Sequence, residues 1–119
     1  MEGRYKKNVG DWGEEKAVEF LRRQGFEIID RQYHTVWGEI DIVAKKSDDY
    51  YFVEVKTRFD IDLANNAAIT YQKTQKLLKS IRVYAYKNKL EDVGLIPAAL
   101  IVFINKQQKT AKLMFNVIY

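Results

Sequence analysis

The segments 38–44 and 50–57 alternate apolar with charged residues, and the turn formers Ser47, Asp48 and Asp49 lie between them. Such a pattern is typical of a β-hairpin. Alternate side chains of a strand share a face, and a slip of one residue would turn every side chain to the other face. Matching the apolar faces therefore decides which charged residues lie on the same side of the sheet.

The charged face of this predicted hairpin holds two carboxylates and an ammonium group. With the turn at the centre of the interval, Asp41 faces Glu54. Glu39 faces Lys56 in the same register. Directly opposed β-carbons lie about 5 Å apart, where like charges repel unless a cation or a proton lies between them. A turn longer by two residues changes the partners but keeps the face.

Asp41, Glu54 and Lys56 predict a metal site for phosphodiester hydrolysis. Mg²⁺ binds oxygen ligands, commonly one or two carboxylates together with water and a phosphate oxygen. A bound Mg²⁺ or Mn²⁺ lowers the pKa of its water, while the lysine orients the nucleophile or neutralises the transition state. The alternative interpretation is a solvated sheet face on which Glu39 and Lys56 form a cross-strand ion pair.

Glu14 is a further candidate ligand on a predicted first helix over residues 11–24. Asp11 is its predicted N-cap, Glu14 completes the spacing of a capping box, and Gly25 is the stop. Glu14 shares a helical stripe with three apolar residues, Ala17, Val18 and Leu21. A carboxylate on an apolar stripe usually has a partner, which favours a site role. The alternative is an acid that only stabilises the start of the helix.

The remaining elements complete a single domain over residues 1–119. The segment 26–33 is a predicted strand, 67–88 is an amphipathic helix, and 98–104 with 110–118 resembles a closing hairpin. The predicted order is therefore one helix, three strands, one helix and two strands. This order favours an α/β (α+β) fold with a mixed central β-sheet flanked by helices.

The composition restricts the side chains that could bind a metal and the cellular location that we expect. The chain has 119 residues, no cysteine, one histidine and a net charge of +4. A metal must then bind oxygen ligands or His34, which is either a surface residue or a general base. No apolar run reaches the roughly 20 residues that span a bilayer, and the N-terminus lacks the apolar stretch of a secretory signal, so we expect a cytoplasmic protein without membrane contact.

Basic residues are concentrated in the predicted second helix. They are Lys73, Lys76, Lys79, Arg82, Lys87 and Lys89. Such a segment fits a phosphate-backbone partner, and it equally fits a solvated helix face.

Three motifs carry a family resemblance. They are GEEKAVEFLRRQGFEII at 13–29, GEID at 38–41 and FVEVK at 52–56. They resemble the YraN-type family of bacterial proteins, predicted nucleases related to archaeal Holliday-junction resolvases. The resemblance covers roughly residues 8–104.

The resemblance implies a restriction-endonuclease-like fold and the PD-(D/E)xK nuclease signature. It assigns metal binding to Asp41 and Glu54, the catalytic lysine to Lys56, and an acid of the first helix to Glu14. It implies a Mg²⁺-dependent or Mn²⁺-dependent endonuclease acting on branched, damaged or single-stranded DNA. Related resolvases act as dimers, so it also implies a homodimer.

The predicted nucleic-acid contacts flank this site. Lys73 matches a basic position of the family, Gln72 lies beside it, and Lys76 follows one turn later. Arg58 opens the segment 58–66, a predicted substrate-facing loop. Two other interpretations stay open: a non-catalytic nucleic-acid-binding module on a nuclease scaffold, and a small interaction subunit.

Trp12 and Trp37 flank the predicted site in sequence, and we expect them to form a structural wall. Asp60 and Asp62, in the predicted loop, imitate a metal site, although solvated loop acids are the commoner interpretation.

Overall fold

A long helix opens the chain, followed by a three-stranded meander, a second helix and a final pair of strands. The computed structural model describes residues 2–59 and 70–118, with side chains from residue 8 onward. The helices are α1 (Glu2–Arg23) and α2 (Tyr71–Lys87). The strands are β1 (Glu27–Thr35), β2 (Gly38–Lys46), β3 (Asp49–Phe59), β4 (Gly94–Asn105) and β5 (Thr110–Val117). This confirms the predicted order of elements.

The five strands form one sheet in their chain order. Strands β3 and β4 are parallel, and every other neighbouring pair is antiparallel. A parallel pair needs a long crossover connection, and α2 lies within it. The protein is therefore an α+β protein with a mixed sheet and a helix on each face. This arrangement is consistent with a restriction-endonuclease-like fold, as the sequence predicts.

Each helix buries an apolar stripe against one face of the sheet. The α1-side core includes Ala17, Val18, Leu21, Ile42, Val53 and Leu100. The α2-side core includes Ile40, Val43, Phe52, Leu77, Ile81 and Tyr84. Each fully buried aliphatic or aromatic side chain contributes about 1.5 to 3 kcal/mol. The two cores hold the sheet between the helices and fix the positions of the polar side chains at its end.

Helix α1 begins before its predicted start. It extends from Glu2, so Asp11 and Glu14 lie inside the helix. The prediction that Asp11 is the N-cap and Glu14 its capping-box partner is therefore wrong. Gly10, directly before Asp11, concealed the extension, because glycine lowers helix propensity by about 1 kcal/mol relative to alanine.

The predicted stop of α1 at Gly25 is confirmed, and α2 begins directly after a capping residue. Gly25 has a φ of +92°, the left-handed conformation that ends α1. Thr70 caps α2, because its Oγ1 accepts a hydrogen bond of 3.2 Å from the amide of Lys73. Residues 67–69, where the predicted helix starts, lie outside the described residues. Neither described helix has the length and apolar character needed to cross a membrane.

Strands β2 and β3 pair in the predicted register. Lys46 faces Asp49 beside the turn, and the ladder continues to the pair of Ile42 and Val53. Ser47 in the turn has a φ of +55°. The parity inferred from the apolar faces is therefore confirmed over this length. The polar residues of the predicted site lie beyond the last of these pairs.

Gly13→Ala is expected to destabilise the protein by about 1 to 3 kcal/mol. A β-carbon at Gly13 would collide with the side chain of Thr57 on β3. Gly10→Ala is the matched control, because a β-carbon there meets no other atom within 4 Å. Alanine is the better helix former, so the control is expected to gain about 0.5 to 1 kcal/mol. Urea unfolding measures both, and equal effects would contradict the close contact of α1 with β3.

Candidate functional site

Strand β1 at Gln32 and strand β2 at Asp41 both depart from regular strand geometry. On β2, Ile40 packs in the α2-side core and Ile42 in the α1-side core. In a regular strand, the side chains of residues two positions apart lie on the same face of the sheet. Strand β2 therefore departs from regular geometry at Asp41, which lies between these two residues. On β1, Gln32 has a φ of +51°, a left-handed conformation that is uncommon outside glycine. Such backbone outliers cluster at functional sites, so this level of the sheet is a candidate site.

The interruption turns the carboxylate of Asp41 toward β3. Its Oδ2 accepts a hydrogen bond of 2.8 Å from the amide of Val55. The predicted contact with Glu54 is thus replaced by a bond to the backbone one residue further along. Burial raises the pKa of Asp41 to about 6, and Glu14, Glu54 and Glu39 add repulsion, against the Val55 hydrogen bond that lowers it. Burial and the neighbouring acids therefore disfavour the negative charge of this carboxylate.

Glu54 and Lys56 lie on the α2 side of β3. Phe52 belongs to the α2-side core and Val53 to the α1-side core, so alternation places Glu54 and Lys56 with Phe52. The Lys56 Nζ lies 3.6 Å from Glu54 Oε1. Lys56 is only 6% exposed. The ion pair of Glu39 with Lys56, which belonged to the alternative interpretation of this face, does not form among the described residues.

Burial lowers the pKa of Lys56, and the neighbouring Lys73 and Arg58 lower it further, while Glu54 opposes them. A buried ammonium group is retained only where a carboxylate or a phosphate compensates its lost hydration. Glu54 supplies one such partner. Lys56 is therefore a cation at the boundary between the sheet and α2, with a second cation beside it.

Glu14 is buried at the junction of α1 with β1. Its Oε1 accepts a hydrogen bond of 3.3 Å from Arg31 Nε, and its Oε2 accepts one of 3.2 Å from Gln32 Nε2. Arg31 also pairs with Glu15 through Nη2 at 2.7 Å. The hydrogen bond to Glu15 is the main cause that raises the pKa of Arg31. The partner expected for a carboxylate on an apolar stripe is thus a guanidinium group together with an amide.

Sequence reasoning missed Arg31 and Gln32. These consecutive residues would point to opposite faces in a regular strand, yet both reach Glu14. The left-handed conformation of Gln32 permits this. One signal was present: three consecutive polar residues, Asp30, Arg31 and Gln32, interrupt the alternation of β1 just before Tyr33. The irregular part of β1 lies opposite Asp41, the residue at which β2 departs from regular strand geometry.

The structure brings the three predicted acids into electrostatic range, since Glu14 and Glu54 both raise the pKa of Asp41. Across the side chains of residues 8–59 and 70–118, however, no three acids or histidines are arranged to hold one metal ion. Glu14 is engaged by Arg31, and Glu54 by Lys56. Mg²⁺ needs only one or two protein carboxylates beside water and phosphate. Asp41 and Glu54 supply that number.

The predicted nucleic-acid contacts lie around this site. Gln72, Lys73 and Lys76 are exposed on the first turns of α2. Arg58 lies within β3 and not in a loop, and its Nη1 donates to the carbonyl of Thr57 at 2.9 Å. His34 is exposed on β1, as expected of a surface residue. The rest of the predicted loop, with Asp60 and Asp62, lies outside the described residues.

A separate open groove of about 790 Å³ runs between α1 and the β4–β5 hairpin. Trp12 and Phe59 lie in it, with a lysine ammonium near each ring: Lys16 at 5.6 Å and Lys106 at 4.2 Å. Arg23, Lys109 and Glu19 also line this groove. Trp12, which we expect to form a structural wall, lines this groove.

Comparison with known proteins adds a family match to this geometry. A family model described as "Uncharacterised protein family UPF0102" matches residues 13–118. A UPF0102 protein of Campylobacter jejuni is 45% identical over 80 residues, which are 66% of this chain and 70% of that protein. A UPF0102 protein of Aliarcobacter butzleri is 41% identical over 85 residues, covering 71% of this chain and 76% of that protein. A UPF0102 protein of Dictyoglomus turgidum is 40% identical over 84 residues, 70% of each chain.

Asp41→Asn is expected to stabilise the metal-free protein at pH 7.5. The folded state raises the pKa of Asp41 to about 6, so ionisation costs stability as pH rises from about 4 to 6. Each pKa unit is worth about 1.4 kcal/mol, which gives a gain of about 1 to 3 kcal/mol above pH 7 and none below pH 4. The Asn oxygen can still accept the Val55 hydrogen bond.

Urea unfolding in EDTA from pH 4 to 7.5 measures this difference. Glu39→Gln is the control, since it removes a nearby but exposed carboxylate and should gain less. A variant that is less stable than the wild type at pH 7.5 would show that the fold benefits from the Asp41 charge.

Proposed function

The chain belongs to the family described as Uncharacterised protein family UPF0102, the YraN-type family that its motifs predict, and we propose that it is a Mg²⁺-dependent DNA endonuclease, with Mn²⁺ as an alternative ion. The proposed reaction is hydrolysis of phosphodiester bonds. The proposed substrate is branched, damaged or single-stranded DNA in recombination or repair, and the proposed location is the cytoplasm.

One observation carries this proposal: Asp41 and Glu54 lie just beyond the last pair of the β2–β3 ladder, with a buried lysine beside Glu54. Asp41 is held toward β3 by the Val55 amide. Glu54 is 3.6 Å from the ammonium of Lys56. Carboxylates on neighbouring strands repel unless a cation lies between them, and the pKa of Asp41 is raised first by burial and then by the charges of Glu14 and Glu54. A divalent cation bound between the two carboxylates would relieve this repulsion.

The chain's own residues have distinct roles in this proposal. Asp41 and Glu54 would hold the ion, which supplies an activated water and charge stabilisation. Lys56 is positioned to donate a hydrogen bond to a phosphate oxygen, or to exchange a proton at Nζ with the attacking water, which its lowered pKa favours. Arg31 and Gln32 fix Glu14, which shapes the negative field around Asp41.

The proposed DNA contacts are Gln72, Lys73, Lys76 and Arg58. The three residues of α2 are exposed, and Lys73 interacts with Lys56, so the start of α2 leads directly to the carboxylates. Phosphates bound along this helix would therefore be delivered to the proposed ion. A homodimer remains part of the proposal, because a branched substrate has two strands to cut.

The second candidate is a non-catalytic nucleic-acid-binding module. Two observations favour it. Glu54 and Glu14 each already have a cationic partner, and the described side chains contain no three-ligand metal group. The groove with Trp12, Phe59 and several cations also offers the combination of rings and positive charge that binds single strands.

A cleavage assay tests the first candidate. The purified protein, with Mg²⁺ or Mn²⁺, should cut branched, nicked or single-stranded DNA, and Glu54→Gln should lower the rate by about 100-fold or more. Glu19→Gln is the matched control, because that exposed glutamate pairs only with Lys16 among the described ion pairs. It should retain wild-type cleavage. No cleavage above the level of Glu54→Gln, combined with salt-dependent binding that EDTA and Asp41→Asn leave unchanged, would establish the second candidate instead.

Millimolar Mn²⁺ is expected to raise the melting temperature by mass action, equivalent to about 1 to 3 kcal/mol at 10 to 100 times the dissociation constant. The ion relieves repulsion between Asp41 and Glu54. Asp41→Asn should show no such rise, although its metal-free form is the more stable. Differential scanning calorimetry in Mn²⁺ and in EDTA compares the two proteins. An equal rise in both would place the bound ion away from Asp41.

A further inference from the structure

The turn between β1 and β2 presents two apolar side chains to solvent. Val36 is 91% exposed and Trp37 is 44% exposed. We call this pair the hairpin tip. Scattered exposed apolar residues need no explanation, but two adjacent ones at the end of a hairpin form a protruding apolar edge. Trp37, which we expect to form a structural wall, is therefore partly covered and partly open to solvent.

The hydroxyl of Thr35 forms hydrogen bonds that hold the hairpin tip in place. Thr35 Oγ1 donates to the carbonyl of Gly38 at 2.9 Å and accepts from the amide of Trp37 at 3.1 Å. It also lies 2.8 Å from the Oγ of Ser80 on α2. A hydroxyl has one proton, so Ser80 is the donor in this last contact. Ser80 is 1% exposed, and the tip is therefore anchored to a buried group.

A row of lysines on α2 joins the hairpin tip to the carboxylate site. The Nζ of Lys79 lies 4.3 Å from the centre of the Trp37 ring. Lys76 and Lys73 precede it at intervals of three residues, and all three are exposed. Lys73 interacts with Lys56 at the other end of the row. Six residues of helix span about 9 Å.

The lysine row adds positive charge to the surface between tip and site, because Lys73, Lys76 and Lys79 are all exposed. Glu39, on β2 next to the tip, is an exposed acid near enough to Asp41 to raise its pKa. Positive charge beside an apolar edge is complementary to nucleic acid, whose phosphates surround stacked, apolar bases.

We propose that the hairpin tip is a wedge that enters the base stack of DNA at a branch or nick. This deepens the proposed function and rests on it for the cleavage step alone. Apolar side chains of minor-groove and architectural proteins unstack base steps in this way. The tip carries only two such side chains, so it requires a stack that is already interrupted, where unstacking costs least. The lysine row then leads the strand from the wedge to Asp41 and Glu54.

The geometry also limits where the strand would be cut. Asp41 follows Trp37 by four positions, so their α-carbons are at most about 13 Å apart. That length corresponds to about four nucleotides at 3.4 Å each. Cleavage is therefore expected within about four nucleotides of the unstacked step.

The test measures unstacking without cleavage. Wild-type protein in excess EDTA is mixed with a branched or nicked duplex that carries 2-aminopurine beside the interruption, and with the intact duplex. We expect fluorescence to rise on the interrupted DNA only. The double variant Val36→Ser, Trp37→Ser should lose most of this rise and bind interrupted DNA about tenfold more weakly. Tyr86→Ser is the matched control, an exposed aromatic residue at the other end of α2, and should behave as wild type.

Several outcomes overturn the wedge. They are an unchanged fluorescence rise in the double variant, no rise in the wild type, and absence of DNA binding. A concentration-dependent dimer that the double variant abolishes, measured by analytical ultracentrifugation, would identify the tip as a contact between copies of the chain. Cleavage in Mg²⁺ without a fluorescence rise rejects the wedge and keeps the nuclease. A fluorescence rise without cleavage in Mg²⁺ rejects the nuclease and keeps the wedge.

Discussion

The hydrogen bond from the Val55 amide to the Asp41 carboxylate determines how the polar end of the sheet is organised. In an ordinary ladder that amide would be satisfied by the backbone of the neighbouring strand. Here a side chain takes the place of that backbone, so the strands need not stay paired beyond Ile42 and Val53. The carboxylate is consequently held between two strands, partly buried, at the position where their regular pairing ends.

The surrounding charges are divided between two groups on opposite sides of the sheet. On the α1 side, Glu14 is matched by Arg31 and by the amide of Gln32. On the α2 side, Glu54 is matched by Lys56. Asp41 lies between them, with a backbone amide as its hydrogen-bond donor. Burial raises the pKa of Asp41, and the charges of Glu14 and Glu54 raise it further.

The hairpin was predictable because strand alternation has a period of two and the turn is short. Those constraints are sufficient for the register of β2 with β3, and the order of elements followed from similar local patterns. The level of Gln32 and Asp41 was not predictable in the same way, because it departs from the alternation on which the inference rests. The start of α1 was concealed for a related reason: Gly10 argues locally against a helix, and Asp11 with Glu14 imitates the spacing of a capping box.

Which residues form the candidate site was predictable from the sequence, but which partners they contact was not. Residue type and spacing were enough to select Asp41, Glu54 and Lys56, since each interrupts an apolar strand. Their partners depended on three-dimensional packing. Arg31 meets Glu14 only because α1 crosses β1, and Lys56 loses its hydration only because the sheet and its neighbouring cations enclose it.

The irregular geometry of β1 has a further effect, because β1 is an outer strand of the described sheet. A bulge interrupts it between Ile28 and Asp30, and Gln32 departs from the extended conformation. Bulges and charged side chains make an outer strand a poor template for pairing with another chain. Strand β5 pairs with β4 without interruption from Thr110 to Val117, so its far side is straight. Of the two borders of the described sheet, the one beside the carboxylates resists extension by a foreign strand, and the one remote from them is the more permissive.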